Sequence, residues 1–146
     1  IDISTIRFWD EELLRRFQQF DLLQDYLESK LKEVDNSNQT VAANLDQIVK
    51  GRLFTNIGTF RAYIKAFLKN HSDIHDKMTF LIRQLPPGEK GLPMEIYVFT
   101  KDTDWVRYES IQSDIFDHLM AIVSEFDLKV FQNPSGNDFK SIAQSK

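Results

Sequence analysis

The sequence predicts an α+β domain, a ferredoxin-like split β-α-β sandwich: a four-stranded antiparallel sheet with helices on one face and a helical insertion after the first strand. Three observations predict it. Apolar residues recur at three-and-four spacing in three long stretches, as on the buried face of a helix. Short β-branched or aromatic runs alternate with those stretches. The middle two runs are separated by PPGEKGLP, which holds three of the four prolines and two glycines and so punctuates a hairpin. The resulting order is strand, helices, strand, strand, helix, strand, with no internal repeat.

Residues 1–8 (IDISTIRF) are β-branched and partly alternating, and are expected to form the first strand. Asp10 then offers an N-cap oxygen, Glu11 and Glu12 suit the positive end of a helix dipole, and Trp9 is placed to staple against Leu14. The helical stripe that follows runs through Leu13, Leu14, Phe17, Phe20, Leu23, Tyr26, Leu27, Leu31 and Val34, with a bend near Asp21. Residues 35–44 (DNSNQTVAAN) hold three Asn and are expected to form a loop. A second helix starts at Asn56 or Thr59, with Phe60, Tyr63, Ile64, Phe67 and Leu68 on one side and Arg61, Lys65 and Lys69 on the other, and fades at residues 70–72. Residues 78–85 and 94–100 are the hairpin strands, and residues 102–104 supply capping oxygens for a long helix marked by Ile111, Ile115, Leu119, Ile122 and Phe126. Residues 128–133 are the expected last strand, stopped by Pro134-Ser135-Gly136. The expected domain spans residues 1–136, with the helical insert at about 10–53 and a frayed tail at 137–146.

Composition narrows the function classes. A chain of 146 residues with 42% hydrophobic and 12% aromatic residues carries enough apolar material for one core, which argues against intrinsic disorder. A net charge of −4 supplies no basic field for releasing phosphate counterions, so general nucleic-acid binding is not expected. The absence of Cys removes disulfides, thiol nucleophiles and thiolate metal sites and is compatible with a reducing compartment. No uncharged apolar run approaches the ~20 residues that cross a bilayer, so these residues are expected to be soluble. The chain starts at Ile1 with no basic-then-apolar leader, and is read as a fragment of a longer protein.

Three segments carry a resemblance to a known family. They are GRLFTNIGTFRAYIKAFLKNH at residues 51–71, MTFLIRQLPPGEKGLPMEIYVFT at residues 78–100, and WVRYESIQSDIFDHLMAIVSEFDLKVFQNPSG at residues 105–136. Together with IDISTIRF, they resemble the C-terminal cytoplasmic region of mechanosensitive channels of small conductance (the MscS family), in particular its miniconductance, YbdG-type branch. The resemblance leaves mainly residues 36–49 and the tail uncovered.

The resemblance implies transmembrane helices, then a small β domain, then a mixed α/β domain, assembled as a homoheptamer around a hollow cytoplasmic chamber in the bacterial inner membrane. This sequence is similar to the last domain alone. Its implied partners are other subunits of the same channel and the parent's own β and transmembrane domains, with contact to the membrane only through upstream segments. The implied role is in a channel that opens under membrane tension in hypoosmotic stress, where the chamber filters solutes and modulates gating. No catalytic residue, cofactor or metal is implied, and the insert departs from shorter members of the family.

Several motifs have residue types suited to other chemistry. His71 and His75, four apart with Asp73 and Asp76 nearby, have a spacing suited to a metal, but Ser72 and Asp73 mark the end of a helix rather than its middle. Asp114 and His118 share a helix face with Asp117 adjacent; a surface ion pair is the expectation there, because Ile115, Leu119 and Ile122 claim the buried face. Ser110, Ser113 and Ser124 lack a Gly-flanked nucleophile turn. Gly51, Gly58, Gly88 and Gly91 form neither GxxxxGK[ST] nor GxGxxG. Arg7, Arg52, Arg61, Arg83 and Arg107 are expected to pair within the chain with its 22 acidic residues.

The aromatic residues give the one positive lead from the residues themselves. Tyr97 and Phe99 alternate with Met94, Ile96 and Val98, so both faces of that strand are apolar, and Trp105 and Tyr108 open the last helix. A sheet apolar on both faces needs cover on both. Tyr97, Phe99, Trp105 and Tyr108 are therefore the candidate contacts to a neighbouring subunit or to the β domain. A stand-alone ferredoxin-like ligand-binding or regulatory module is the alternative function, since that fold hosts many unrelated activities.

Overall fold

Asp10 starts the first helix as its position suggests: its carboxylate accepts the Leu13 N–H at 2.8 Å in the computed structural model of the chain, which describes residues 1–34 and 54–136. Helix α1 spans Glu11–Phe17, with Glu11 and Glu12 in its first turn and Arg15 and Arg16 in its last, each sign at the favourable end of the dipole. The bend expected near Asp21 is a full break. Phe20 is extended, a short 3-10 turn occupies Asp21–Leu23, and α2 runs Gln24–Val34. Leu13, Leu14, Phe17, Leu23 and Leu27 are buried on either side of the break, so the stripe continues although the helix does not.

Helix α3 spans Asn56–Lys69, capped by Thr55, whose side chain accepts the Gly58 N–H at 3.2 Å. It buries Ile57, Phe60, Tyr63, Ile64 and Leu68. The sheet follows. Strand β1 (Leu81–Gln84) pairs antiparallel with β2 (Met94–Tyr97) in the register Leu81 to Tyr97 and Gln84 to Met94. In the connecting loop Gly88 and Gly91 exchange backbone hydrogen bonds, and Gly91 has a φ of 82°. A Cβ on Gly91 would stand 2.2 Å from the Ile1 carbonyl oxygen, so only glycine fits there. Beyond β2, His75 N–H donates to the Phe99 oxygen and Lys101 N–H to the Asp73 oxygen, which extends the pairing without a named strand. Helix α4 covers Trp105–Ile122, capped by Asp104 on the Arg107 N–H at 2.9 Å, and runs into a 3-10 turn at Val123–Phe126.

The core is aromatic at its centre. The Phe126 ring, fully buried, meets Phe60 at 5.0 Å, Phe17 at 5.3 Å, Tyr63 at 5.4 Å and Phe20 at 5.8 Å between centroids. One residue thus joins α1, α3 and the end of α4, and such ring pairs add about 0.5–1.5 kcal/mol each beyond their area.

The α+β class holds, but among the described residues the sheet has two strands rather than four. Residues 1–8 begin as a strand would: Ile1 and Leu92 exchange N–H to O bonds at 2.8 Å, and Asp2 N–H reaches the Lys129 oxygen at 2.8 Å. Asp2 then accepts from both the N–H and hydroxyl of Ser4, Thr5 donates its hydroxyl to the Asp2 carbonyl, and the chain closes into a 3-10 turn at Ile3–Thr5. Local side-chain bonds have outcompeted the ladder. The expected last strand meets its neighbour only around Lys129, whose N–H finds the Thr5 hydroxyl instead of a backbone carbonyl. Of the expected insert, Glu11–Phe17 and Gln24–Val34 are α-helical; the loop at 35–44, the remainder to 53 and the tail at 137–146 lie outside the described residues.

Candidate functional site

Alternation along β2 assigns its side chains to two faces. Met94, Ile96 and Val98 pack toward the core together with Ile82 from β1. Tyr97 is on the other side, opposite Leu81, in a row with the Arg83–Glu95 ion pair at 2.5 Å. Tyr97 remains 50% exposed and Leu81 40%, so this outer face lacks cover among the described residues. Phe99 is half-buried, with its ring edge-on to Tyr97 at 5.5 Å.

Trp105 and Tyr108 are elsewhere. Trp105, the first residue of α4, is 73% exposed with only its indole N–H engaged, donating to Glu109 Oε1 at 2.9 Å. Tyr108 points to the inner side of β2. It lines a hollow of about 130 Å³ with Ile74, Ile96, Val98, Ile111 and Phe116. The structure therefore brings Tyr97 and Phe99 together but places Trp105 and Tyr108 in no ring contact with them among the described residues.

A second hollow of about 160 Å³, almost wholly apolar, is lined by Ile1, Met94, Ile96, Phe116, Met120 and Val130 among others. It shares Ile96 and Phe116 with the first, so the two run together as a trough between β2 and α4. Along α4, Tyr108, Gln112, Phe116 and Met120 follow at steps of four along this trough, while Ile111, Ile115 and Leu119 are buried beneath them, lining its floor and joining the core. Phe116 and Met120, both about half exposed, were missed in the sequence. Their step of four from Tyr108 is the signal that would have found them.

The polar candidates resolve into structural roles. His118 forms no surface ion pair with Asp114. Its ring stacks on Phe67 at 4.1 Å, and its Nε2 is 2.8 Å from the Tyr63 hydroxyl, because α3 presents two aromatic rings where solvent was expected. Burial pushes the Tyr63 phenol above its ordinary pKa. His71 Nδ1 accepts the Asp73 N–H at 3.2 Å, and the Asp73 carboxylate is held by Arg107 at 3.3 Å. Among the described residues no three His, Cys, Asp or Glu side chains gather as metal ligands. Ser113 donates to the Glu109 carbonyl at 2.9 Å.

Of the arginines expected to pair with acidic residues, those described do so except Arg61, whose partner is neutral. Arg83 holds Glu95, Arg107 holds Asp73 and Asp102, and Arg61 reaches Gln84; Arg52 lies outside the described residues. Arg7 grips both Asp10 and Asp127, the latter at 2.5 Å, while Arg16 takes the other Asp127 oxygen at 2.6 Å. Burial alone would raise the Asp127 pKa, but the two guanidiniums hold it below the ordinary carboxylate range. Beside this cluster sits a residue the sequence did not single out as a site. Asn56 is fully buried, donates to the Thr5 and Phe126 carbonyls at 2.9 and 3.0 Å, and accepts from the Arg7 and Ile57 N–H groups at 2.9 Å each.

The arrangement thus offers uncovered apolar surface on both sides of β2 and a polar joint behind it. Burying such surface is worth about 25 cal/mol per Å², which makes it suited to docking. A protein-family model described as the C-terminal part of the mechanosensitive ion channel MscS matches residues 54–130, more than half of the chain. No solved structure matches the chain. Among the described residues no helix is long and apolar enough to cross a membrane.

Proposed function

Because the chain belongs to the MscS family of mechanosensitive ion channels, we propose that it serves as the cytoplasmic C-terminal domain of a channel of the miniconductance, YbdG-type branch. The family consists of membrane-embedded channels rather than enzymes, and the match over residues 54–130, which takes in α3, β1, β2 and α4, is the observation that carries this reading. The parent opens under membrane tension in hypoosmotic stress. Its C-terminal domains, as a homoheptamer, wall a chamber on the cytoplasmic side of the bacterial inner membrane that filters solutes and modulates gating. The work of this domain is to bind its neighbours.

Tyr97, Phe99, Trp105 and Tyr108 are the contacts to a neighbouring subunit or to the parent's own β domain. The exposure of Tyr97 and Trp105 supports this assignment, since a large aromatic left in water is a source of binding energy when a partner covers it.

The test begins with the parent reading frame. Several apolar stretches of ~20 residues with basic cytoplasmic flanks upstream of Ile1 are expected. Patch-clamp recording of that parent under suction should then show tension-dependent openings. A parent without such stretches, or one that stays silent up to membrane rupture, would sink the channel reading and leave a ligand-binding or regulatory module in its place.

A further inference from the structure

We propose that residues 1–8 form a strap, closed over one end of the apolar trough by a polar latch on Asp127 and Asn56, which opens while the rest of the molecule stays folded. None of these eight residues is buried: each is half-buried or exposed. The next residue is different in kind. Trp9 is 4% exposed, donates its indole N–H to Thr59 at 2.8 Å and its backbone N–H to the Phe54 carbonyl at 2.9 Å, and is wedged between the Phe17 and Phe54 rings. Ile1 and Ile6 pack against the core only in part, and the first buried side chain is that of Trp9, so the pivot lies between Phe8 and Trp9.

What holds the strap is mainly directional, beginning with the two Ile1–Leu92 backbone bonds at 2.8 Å. Asn56 clamps it from both sides, donating to the Thr5 carbonyl and accepting from the Arg7 N–H. Arg7 reaches across to Asp127, and Asp2 N–H and the Thr5 hydroxyl bond to Lys129. Asp127 is itself held in a left-handed conformation, φ 53°, so that each of its carboxylate oxygens meets a different guanidinium, that of Arg7 from the strap and that of Arg16 from α1. Directional bonds of this kind are lost together once the strap lifts, and the apolar surface exposed is confined to the packed faces of Ile1 and Ile6 and what they cover, far less than in global unfolding. The far end of the strap matters for access. Ile1 lines the larger hollow with Met94 and Val130, so lifting the strap removes one wall of it.

The experiment is native-state hydrogen exchange on the whole chain at several urea concentrations below the unfolding transition. The amides of Asp2, Arg7 and Asn56, which bond to Lys129, to the Asn56 side chain and to Arg7 respectively, report the strap. Those of Ile115 and Leu119 in α4 report the body. The strap amides are expected to exchange faster than the body amides and with a much shallower urea dependence, because the denaturant slope scales with the surface exposed. Asp127→Asn keeps the left-handed preference and removes the charge; it is expected to speed the strap amides on the order of tenfold with their shallow urea dependence retained. A change needing no substitution checks the same latch: raising salt to about 1 M KCl, where the screening length is ~3 Å, should also speed them. Strap amides that follow the same urea slope as Ile115 and Leu119, or that respond neither to Asp127→Asn nor to salt, would overturn the proposal.

Discussion

Asn56 shows how much one polar side chain carries. Its amide satisfies two carbonyls and two N–H groups while fully buried, so truncation strands partners from residues 5, 7 and 126 at once. Each buried group left unsatisfied costs about 1–3 kcal/mol, which water entering the space would partly recover. Asn56→Ala is therefore expected to lose about 3 kcal/mol, read as a lower urea midpoint, with Asn56→Asp also destabilised because a carboxylate cannot donate to Thr5 and Phe126. A loss under about 0.5 kcal/mol for Asn56→Ala would show the hub to be ornamental. None of this was legible in the sequence, where Asn56 stood only as one of two starts for a helix; its partners come from residues far along the chain, and local spacing says nothing of them.

The acid response belongs to the same scale. Arg7 bonding first, then the Leu13 N–H, holds the Asp10 carboxyl below its ordinary range, and Asp127 is likewise depressed against the upward pull of burial by Arg7 and Arg16. Glu12 is the other carboxylate in the cluster, paired with Arg16 at 2.9 Å. With folded values below the unfolded ones, the unfolded chain takes up protons first as pH falls. The stabilisation is thus fully present above the unfolded carboxylate pKa of ~3.9 and is lost as pH drops from there through the folded values. Urea midpoints for Asp127→Asn should therefore fall less steeply than wild type below about pH 4, by up to one proton's worth of slope. The two curves staying parallel would mean that Asp127 contributes nothing. Because the side chains of Arg7 and Asp127 are each about a third exposed, solvent screening keeps the neutral-pH effect small.

At the scale of elements, helix starts were legible and strand ends were not. Asp10 and Asp104 cap α1 and α4 as their positions suggest, because a cap is a contact within four residues. Residues 1–8 have strand composition, but Asp2, Ser4 and Thr5 bond to one another and coil the chain after two residues. Helix α4 was read as one-faced; its second stripe of Tyr108, Phe116 and Met120 was legible as a step of four, but only β2 beside it shows what the stripe faces. With no Cys in these 146 residues, a single introduced thiol can report on the outer surfaces in the parent protein once any upstream Cys is replaced by Ser. Trp105→Cys, at an exposed position whose side chain contributes one hydrogen bond to Glu109, is expected to fold and to form disulfide- or maleimide-linked multimers in the full-length channel. Ser113→Cys, on the same helix with an exposed side chain, is the comparison. Equal cross-linking at both positions, or none at Trp105→Cys, would remove Trp105 from the interface.

For the whole molecule, the question is how the chain behaves by itself. Its uncovered apolar residues lie in separate places: Tyr97 and Leu81 outside β2, Trp105 and Val106 at the start of α4, Phe116 and Met120 along the trough. Specific, stable interfaces bury about 1,200–2,000 Å² in one well-packed patch, and scattered side chains do not amount to that. A ring multiplies one heterologous contact around a closed axis, so each contact can be weak while the whole is stable, provided that other parts of the parent hold the copies in register. The 146-residue chain is accordingly expected to be monomeric at micromolar concentration in native mass spectrometry, and to assemble only when joined to the upstream segments of its parent. A stable heptamer of this chain alone would mean that the apolar trough and outer face suffice for assembly, and that the upstream segments add anchoring rather than cohesion.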